Sequence, residues 1–238
     1  MNDLGGEVRR LCVAVAIEAE TGGRRAGARH REMRRRLAEV IEEAAGEAGL
    51  DRLYVVESGG PAPSHVESEV SGPVRPGTGT GAGPGLLLIL PPGVNEARVI
   101  AGLVGELRVA LRRRNQRPGK DAPSRLRLRL RAAFHQGPTR IVDGGFAGRA
   151  VTTVCAMRDG DELRAALRER PGADLAVAIS APLFEEVVEH AHRDLVRDMF
   201  HPVTPRSADV ATRVWISAPD AVQKSCVARR AKMPLTAG

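Results

Sequence analysis

The amino-acid sequence predicts an α+β fold with a ferredoxin-like or palm core, in which elements follow the order β-α-β-β-α-β and further helices and strands are appended. Two observations predict this class. Short apolar runs of strand length alternate along the chain with longer segments in which apolar residues recur every three or four positions. Clusters of Gly and Pro separate these segments. This order is typical of an antiparallel sheet with helices on one face.

The composition is that of a globular protein. The chain has 238 residues, 42% of them hydrophobic and 27% charged, and is long enough to bury a core. Because aromatic residues make up only 3%, that core must consist of Leu, Val, Ile and Ala. No apolar run approaches the ~20 residues of a membrane span, and the first ten residues lack the apolar region of a secretory signal. We therefore expect a cytoplasmic protein.

The first predicted elements are a strand, a helix and a second strand. Residues 10–17 form a buried apolar run, and apolar residues at helical spacing follow from Met33 to Ala48, where Gly49 supplies the stop. Residues 53–56 are the second strand candidate. The segment 58–85 consists almost wholly of small residues, Gly and Pro with scattered acids, which predicts a disordered loop.

The middle of the chain predicts a strand at 86–90, a helix carrying the apolar residues of 99–111, and a strand at 125–134. In the last of these, Leu and Arg alternate strictly. The alternation predicts one face in the core and the other either wet or bound to a ligand. The alternating residues are Leu126, Arg127, Leu128, Arg129, Leu130 and Arg131.

The last third predicts a short helix at 162–167, a strand at 175–179 and a helix that begins near Pro182 with Ser180 as its cap. A strand pair at 200–203 and 211–216 closes the fold. We expect one domain over 10–219, with an N-terminal extension at 1–9 and a disordered basic tail at 220–238.

Three cysteines are scattered along the sequence. Cys12, Cys155 and Cys226 form no paired motif, so they predict neither a zinc site nor a disulfide framework. We interpret them as buried or idle thiols.

The chain carries a net charge of +7, which favours contact with nucleic acid. However, only three of its 36 basic residues are lysines, and abundant Ala, Gly and Pro accompany the arginines, as in proteins from high-GC genomes. Arginine clusters at 24–36 and 108–131 keep a nucleic-acid interface open as an alternative. The polar face of the strand at 125–134 offers no aromatic side chain on which bases would stack.

Five segments in this order resemble the catalytic domain of class III adenylate and guanylate cyclases, and more closely a group of short cyclase-like proteins of high-GC Gram-positive bacteria. The resemblance covers about residues 10–219. The segments are VAVAIEA, HREMRRRLAEVIEEAAGEAGLD, GPGLLLILPPGV, RVIAGLVGELRVALRRRN and LRLRAAFHQGPTRIVDGGFAGRAV. The last of these is similar to the cyclase strand R-x-G-x-H-x-G with the G-x-A-V-N helix that follows it.

The resemblance implies two metal ions held by two aspartates, but the matching positions carry Ala16 and Pro84, which cannot coordinate a metal. The base-recognising lysine falls near Thr80. The pair that stabilises the transition state falls on Thr152 and Ala156, and neither residue is charged. The resemblance therefore implies a catalytically degenerate protein, and we expect neither a bound metal nor another cofactor.

Several polar residues keep relocated chemistry open as an alternative. Glu18 and Glu20 follow the lost metal position and Asp143 lies in a loop on the expected pocket side, although we interpret all three as solvated loop residues. Arg158 lies two residues beyond Ala156, and a helix would point it roughly 200° away. We expect His135, which follows the Leu/Arg strand, to serve the turn.

We therefore expect a regulatory or assembly protein. Cyclase domains work as head-to-tail dimers, so the resemblance implies a homodimer or a heterodimer with a cyclase-like partner, with a nucleotide as the candidate ligand. Two alternatives stay open. One is a nucleic-acid-binding palm-like protein that binds phosphates through Arg127, Arg129 and Arg131; the other is a nucleotide-binding enzyme with relocated catalytic residues.

Overall fold

A computed structural model describes residues 6–18, 26–50, 53–58, 85–116, 127–142, 145–187 and 197–219. Most of the predicted loop at 58–85 and the whole predicted tail at 220–238 lie outside these ranges, so their predicted disorder stays a prediction. Residues 8 and 9 of the predicted N-terminal extension belong to the first strand.

The described residues form eight strands and five α-helices. The strands are β1 (Val8–Ile17), β2 (Tyr54–Ser58), β3 (Gly85–Ile89), β4 (Leu130–Val142), β5 (Gly145–Ala147), β6 (Leu175–Ser180), β7 (His201–Val203) and β8 (Val214–Ser217). The helices are α1 (Ala26–Glu47), α2 (Glu96–Gln116), α3 (Arg149–Asp159), α4 (Asp161–Arg168) and α5 (Ala181–Val187). Among them, no helix is long and apolar enough to cross a membrane.

Seven strands pair in the order β2-β3-β1-β4-β6-β8-β7, and β5 pairs with the far end of β4. The first four strands are antiparallel throughout, which confirms the predicted β-α-β-β-α-β core. The extension differs from the expected antiparallel arrangement, because β6 runs parallel to β4. The predicted strand pair at the end of the domain is confirmed as β7 and β8, which are antiparallel.

Helices cover both faces of the sheet, whereas the sequence predicts helices on one face. On the first face, alternate residues of β1 such as Val13 and Val15 pack with α1, α2 and α5. On the second face, the intervening residues such as Ala14 pack with α3 and α4. We call the second one the α3/α4 face. The prediction is right for the core helices α1 and α2 but wrong for the appended helices α3 and α4.

Strand β4 begins at Leu130, five residues later than predicted. The backbone of Leu128 is held by α2 instead of by a neighbouring strand. Its N–H donates to the Asn115 side-chain oxygen at 2.8 Å, and its carbonyl accepts from the Asn115 amide at 3.0 Å. The Leu/Arg alternation therefore starts in a loop bound to α2 and continues into the sheet.

Candidate functional site

The position that the resemblance assigns to the first metal-binding aspartate lies inside the sheet. Ala16 is the penultimate residue of β1, is 1% exposed, and pairs with Gly85 on β3 and Arg131 on β4. Since side chains alternate along a strand and Ala14 packs on the α3/α4 face, the methyl group of Ala16 lies on that face too. A methyl group offers no lone pair, so this position does not fit a metal ion. Pro84, the second position, lies outside the described residues.

The guanidinium of Arg131 lies next to this position and is fully buried at 0% exposure. The expectation of a wet or ligand-bound face is therefore wrong at Arg131. Its partners across the sheet are both alanines, Ala16 on β1 and Ala176 on β6, and these small side chains leave room for a long one. Helices on the second face then exclude solvent from it.

Three oxygen-bearing groups of this chain surround the Arg131 guanidinium. Its Nε lies 2.7 Å from Oε2 of Glu18, and its Nη1 lies 3.7 Å from Oδ1 of Asp159. Nη1 also donates to the Arg158 carbonyl at 2.7 Å. The Nε–Oε2 contact is an ion pair without hydrogen-bond alignment, and Nη2 has no acceptor among the described residues. These groups form the Arg131 cluster: Arg131, Glu18, Asp159 and the carbonyl of Arg158.

Opposing effects of its surroundings act on the pKa of Arg131. Burial, with a smaller effect of the nearby Arg164, lowers the pKa of Arg131 to about 10, while Glu18 and Asp159 act to raise it. The side chain remains a cation at neutral pH. The Arg131 cluster therefore holds a fully buried positive charge against two carboxylates that are themselves partly exposed.

Arg127 and Arg129 donate to their own chain at the turn between α4 and β6. Arg127 donates to the carbonyls of Pro171 and Gly172, both at 2.6 Å, and Arg129 donates to the carbonyl of Ala173 at 2.9 Å. Cations stabilise the carbonyl end of a helix, and α4 ends at this turn. The predicted phosphate binding by these arginines stays a prediction, and a phosphate would have to compete with these carbonyls.

The two positions assigned to transition-state stabilisation lie on α3, one helical turn apart. Thr152 and Ala156 are both half-buried, on the side of α3 away from the buried Val151 and Val154. Neither side chain carries a charge that could stabilise a developing oxyanion.

Arg158, which lies two residues beyond the uncharged Ala156, is buried and already bonded to a carboxylate. It is 6% exposed, and its Nε and Nη2 donate to the carboxylate of Asp159 at 3.0 and 2.6 Å. Arg158 is therefore more buried than Ala156, which agrees with the different directions in which a helix points two residues at this spacing.

His135 hydrogen-bonds to Ser180, a residue far from it in the sequence. The two residues follow the paired Phe134 and Ile179 on the parallel strands β4 and β6, and His135 Nδ1 lies 2.9 Å from Ser180 Oγ. Burial, with a smaller effect of Arg9, lowers the pKa of His135 to about 4. Because Ser180 is fully buried, the pair joins two strands and does not present a nucleophile to a substrate. No local sequence signal reveals it, since it depends on the register between distant strands.

The other candidate acids do not assemble with Glu18 into a metal centre. Glu20 and Asp143 lie outside the described residues. Within the described ranges, no group of three or more His, Cys, Asp or Glu side chains could hold a metal ion.

Part of the basic charge on α1 and α2 is paired with acids of α1. Arg35 bonds to both Glu32 and Glu39, and Arg113 contacts Glu43 at 3.0 Å. A guanidinium already paired with a carboxylate contributes less to binding a phosphate backbone. This pairing weakens the nucleic-acid alternative.

No protein-family model and no curated protein sequence matches the chain. Solved structures do match it, and they identify its fold as that of class III adenylate and guanylate cyclase catalytic domains, in a divergent form.

Two cyclase proteins illustrate the match. An adenylate/guanylate cyclase/hydrolase from Silicibacter pomeroyi superposes with a TM-score of 0.52 at 18% identity over 90% of this chain and 99% of that one. A monomeric double mutant of the guanylyl cyclase domain of RhoGC from Blastocladiella emersonii gives a TM-score of 0.53 at 11% identity, over 91% and 99%. The same fungal domain in a non-canonical dimeric form gives 0.51 at 12% identity, over 90% and 98%. Identities this low establish the fold alone.

Proposed function

We propose that this protein is a catalytically degenerate relative of nucleotide cyclases that acts in regulation or assembly. The observation that carries the proposal is the pairing of Ala16 with Arg131 on the α3/α4 face. The position that should hold a metal ligand carries a methyl group, and a buried guanidinium lies beside it. A metal ion next to a buried guanidinium is electrostatically unfavourable. This position therefore disfavours a metal ion for two reasons, the missing ligand and the neighbouring positive charge.

The helix α3 supports the same proposal independently. In-line attack on a nucleoside triphosphate needs positive charge to stabilise the transferring phosphoryl group. Thr152 and Ala156 supply none, and the nearby Arg158 is buried against Asp159. Loss of the metal position and of the transition-state position together removes the two main electrostatic contributions to the reaction.

The proposed role in assembly rests on the fold. Cyclase domains pair through surfaces that bring two sites together, and a dimeric cyclase domain is among the matching structures. We therefore propose that the chain forms a homodimer, or a heterodimer with a cyclase-like partner, and that a nucleotide is the candidate ligand of the cleft. We also propose that the protein is located in the cytoplasm.

Light scattering of the purified full chain over a concentration series tests the assembly role. The proposal expects a mass of about twice 25.4 kDa at the higher concentrations. Thermal unfolding with ATP, GTP, CTP and UTP, each with and without Mn²⁺, then tests nucleotide binding. A dimer stabilised by a nucleotide supports a sensor, and a dimer without any shift supports a scaffold. A monomer at all concentrations that also forms no complex with an active cyclase domain contradicts the assembly role.

A further inference from the structure

Two arginines of α2, Arg108 and Arg112, lie on a side of the helix that is turned away from the acids of α1. Residues at this spacing are neighbours on one face of a helix. Arg114, in contrast, bonds to Glu39 on α1. Because a helix turns by roughly 100° per residue, Arg112 lies roughly 200° from Arg114. We call Arg108 and Arg112 the α2 arginine pair.

Neither guanidinium of the α2 arginine pair has an acceptor among the described residues, although both side chains are half-buried. Burial, with a smaller effect of Arg112, lowers the pKa of Arg108 to about 10, and no carboxylate opposes this shift. Two neighbouring cations without a partner destabilise the folded protein when water is partly excluded from them. Unpaired, partly desolvated charges are typical of binding sites.

An acid that lies beyond the pair on the same side of α2 is already bonded. Asn115 follows Arg112 by one helical turn and donates to the Asp174 carboxylate at 2.9 Å. Asp174 is buried and also accepts from Arg127. Its carboxylate therefore holds the turn before β6. The α2 arginine pair needs an acceptor that the described residues do not supply.

A phosphate group has the charge and the shape that the α2 arginine pair requires. A guanidinium presents planar N–H groups that bind oxyanions in a bidentate manner. A terminal phosphate group carries about −1.5 to −2 charges at pH 7, which matches two cations, whereas a carboxylate carries only one. We propose that Arg108 and Arg112 bind a phosphate group carried by a small molecule. Two cations one turn apart suit a single phosphate group, while a nucleic-acid backbone would need a longer row of cations.

The position of this pair separates it from the cleft of the proposed function. Helix α2 packs on the first face of the sheet through residues such as Ile100 and Leu103. The methyl group of Ala16 lies on the α3/α4 face, so the sheet lies between the two sites. The phosphate site therefore does not rest on the proposed function.

Thermal unfolding of the full chain with pyrophosphate as the probe tests the proposal. For a dissociation constant of about 1 mM, ~10 mM pyrophosphate should raise the melting temperature by about 3 °C relative to NaCl of equal ionic strength. Arg108→Gln and Arg112→Gln should each lose most of this rise. Arg98→Gln is the matched control, because Arg98 is an exposed cation of the same helix, and this variant should keep the rise.

Each outcome decides the proposal. Phosphate salts stabilise folded proteins in general, so the quantity that matters is the rise that each variant loses. No rise in the wild type overturns the proposal, and so does a full rise in either Arg108→Gln or Arg112→Gln. An equal rise in sodium acetate of the same ionic strength overturns the assignment to phosphate. If Arg108→Gln fails to fold, the comparison of Arg112→Gln with Arg98→Gln decides.

Discussion

Ala16 on β1 and Arg131 on β4 are direct partners in the antiparallel sheet, one carrying the smallest chiral side chain and the other a fully buried guanidinium. This relationship places a buried cation beside the position that the resemblance assigns to a metal ligand. Arg131, with Glu18 and Asp159, supplies the charges that lie between β1 and α3.

The first prediction concerns the stability of the Arg131 cluster. Glu18→Gln leaves the guanidinium with Asp159 as its remaining carboxylate and should lower the free energy of unfolding by about 2–3 kcal/mol, since removing one partner strands a buried charge. Urea denaturation measures the change. Glu32→Gln is the control, because Glu32 pairs with the exposed Arg35 and its loss should change stability little. Equal effects of the two substitutions would contradict the cluster.

The second prediction concerns acid stability through His135. Burial lowers its folded pKa to about 4 from an ordinary value of 6.5, so below pH 6.5 the unfolded state binds the proton more readily. The contribution of His135 to stability is therefore complete above pH 6.5 and is lost as the pH falls towards 4. The loss amounts to up to about 3 kcal/mol.

His135→Asn isolates this effect, because every other titrating group is retained. The difference in unfolding free energy between wild type and variant should depend on pH between about 4 and 6.5 and be constant above that window. An NMR titration of the His135 ring gives the pKa directly, and a value near 6.5 would refute the prediction.

The third prediction concerns the turn that enters α3. Gly148 has φ +132°, and a Cβ there would lie 2.8 Å from the Pro138 carbonyl oxygen. Gly148→Ala should therefore destabilise the protein by about 2 kcal/mol or more, through strain and backbone contact together. Gly105→Ala within α2 is the matched control, as a Cβ there meets no atom within 4 Å and Ala favours the helix by about 0.5–1 kcal/mol. Chemical denaturation of both variants should give changes of opposite sign.

The fourth prediction concerns thiol reactivity. Cys12 and Cys155 are buried, and burial raises the pKa of both, that of Cys12 to about 12. Since the thiolate is the reacting form, neither should react with a disulfide reagent at pH 8 while the protein is folded. In a Cys226→Ser variant, the absorbance of the thiolate released by the reagent should correspond to no reacted cysteine in buffer and to two reacted cysteines per chain in urea. Rapid reaction of the folded protein would show that this part of the α3/α4 face opens readily.

Much of the fold follows from local patterns. The strands β1, β3 and β6 lie within two residues of their predicted bounds, because continuous apolar runs mark strands that are covered on both faces. Helix α1 begins at Ala26, before Met33, the first apolar position that predicts it. Its first turns carry no apolar pattern at helical spacing, so the sequence does not predict them. The burial of Cys12 and Cys155 also agrees with the prediction.

The candidate site is less accessible to sequence reasoning. The Leu/Arg alternation predicts a solvated face only if one side of the sheet is open, and α3 and α4 close that side over Arg131. The bond between His135 and Ser180 depends on the parallel register of β4 and β6, which joins residues 45 positions apart. The assignment of Ala16 to a lost metal position rests on the resemblance and stays a prediction.

The central claim is that the chain has lost cyclase chemistry, and product formation tests it most directly. The purified full chain is incubated with ATP or GTP, each with Mn²⁺ or Mg²⁺, beside an active class III cyclase domain as positive control. Mass spectrometry then quantifies cyclic AMP and cyclic GMP. The account predicts no cyclic product above the protein-free blank with either nucleotide. Cyclic product that rises with protein concentration and disappears with a chelator would contradict it.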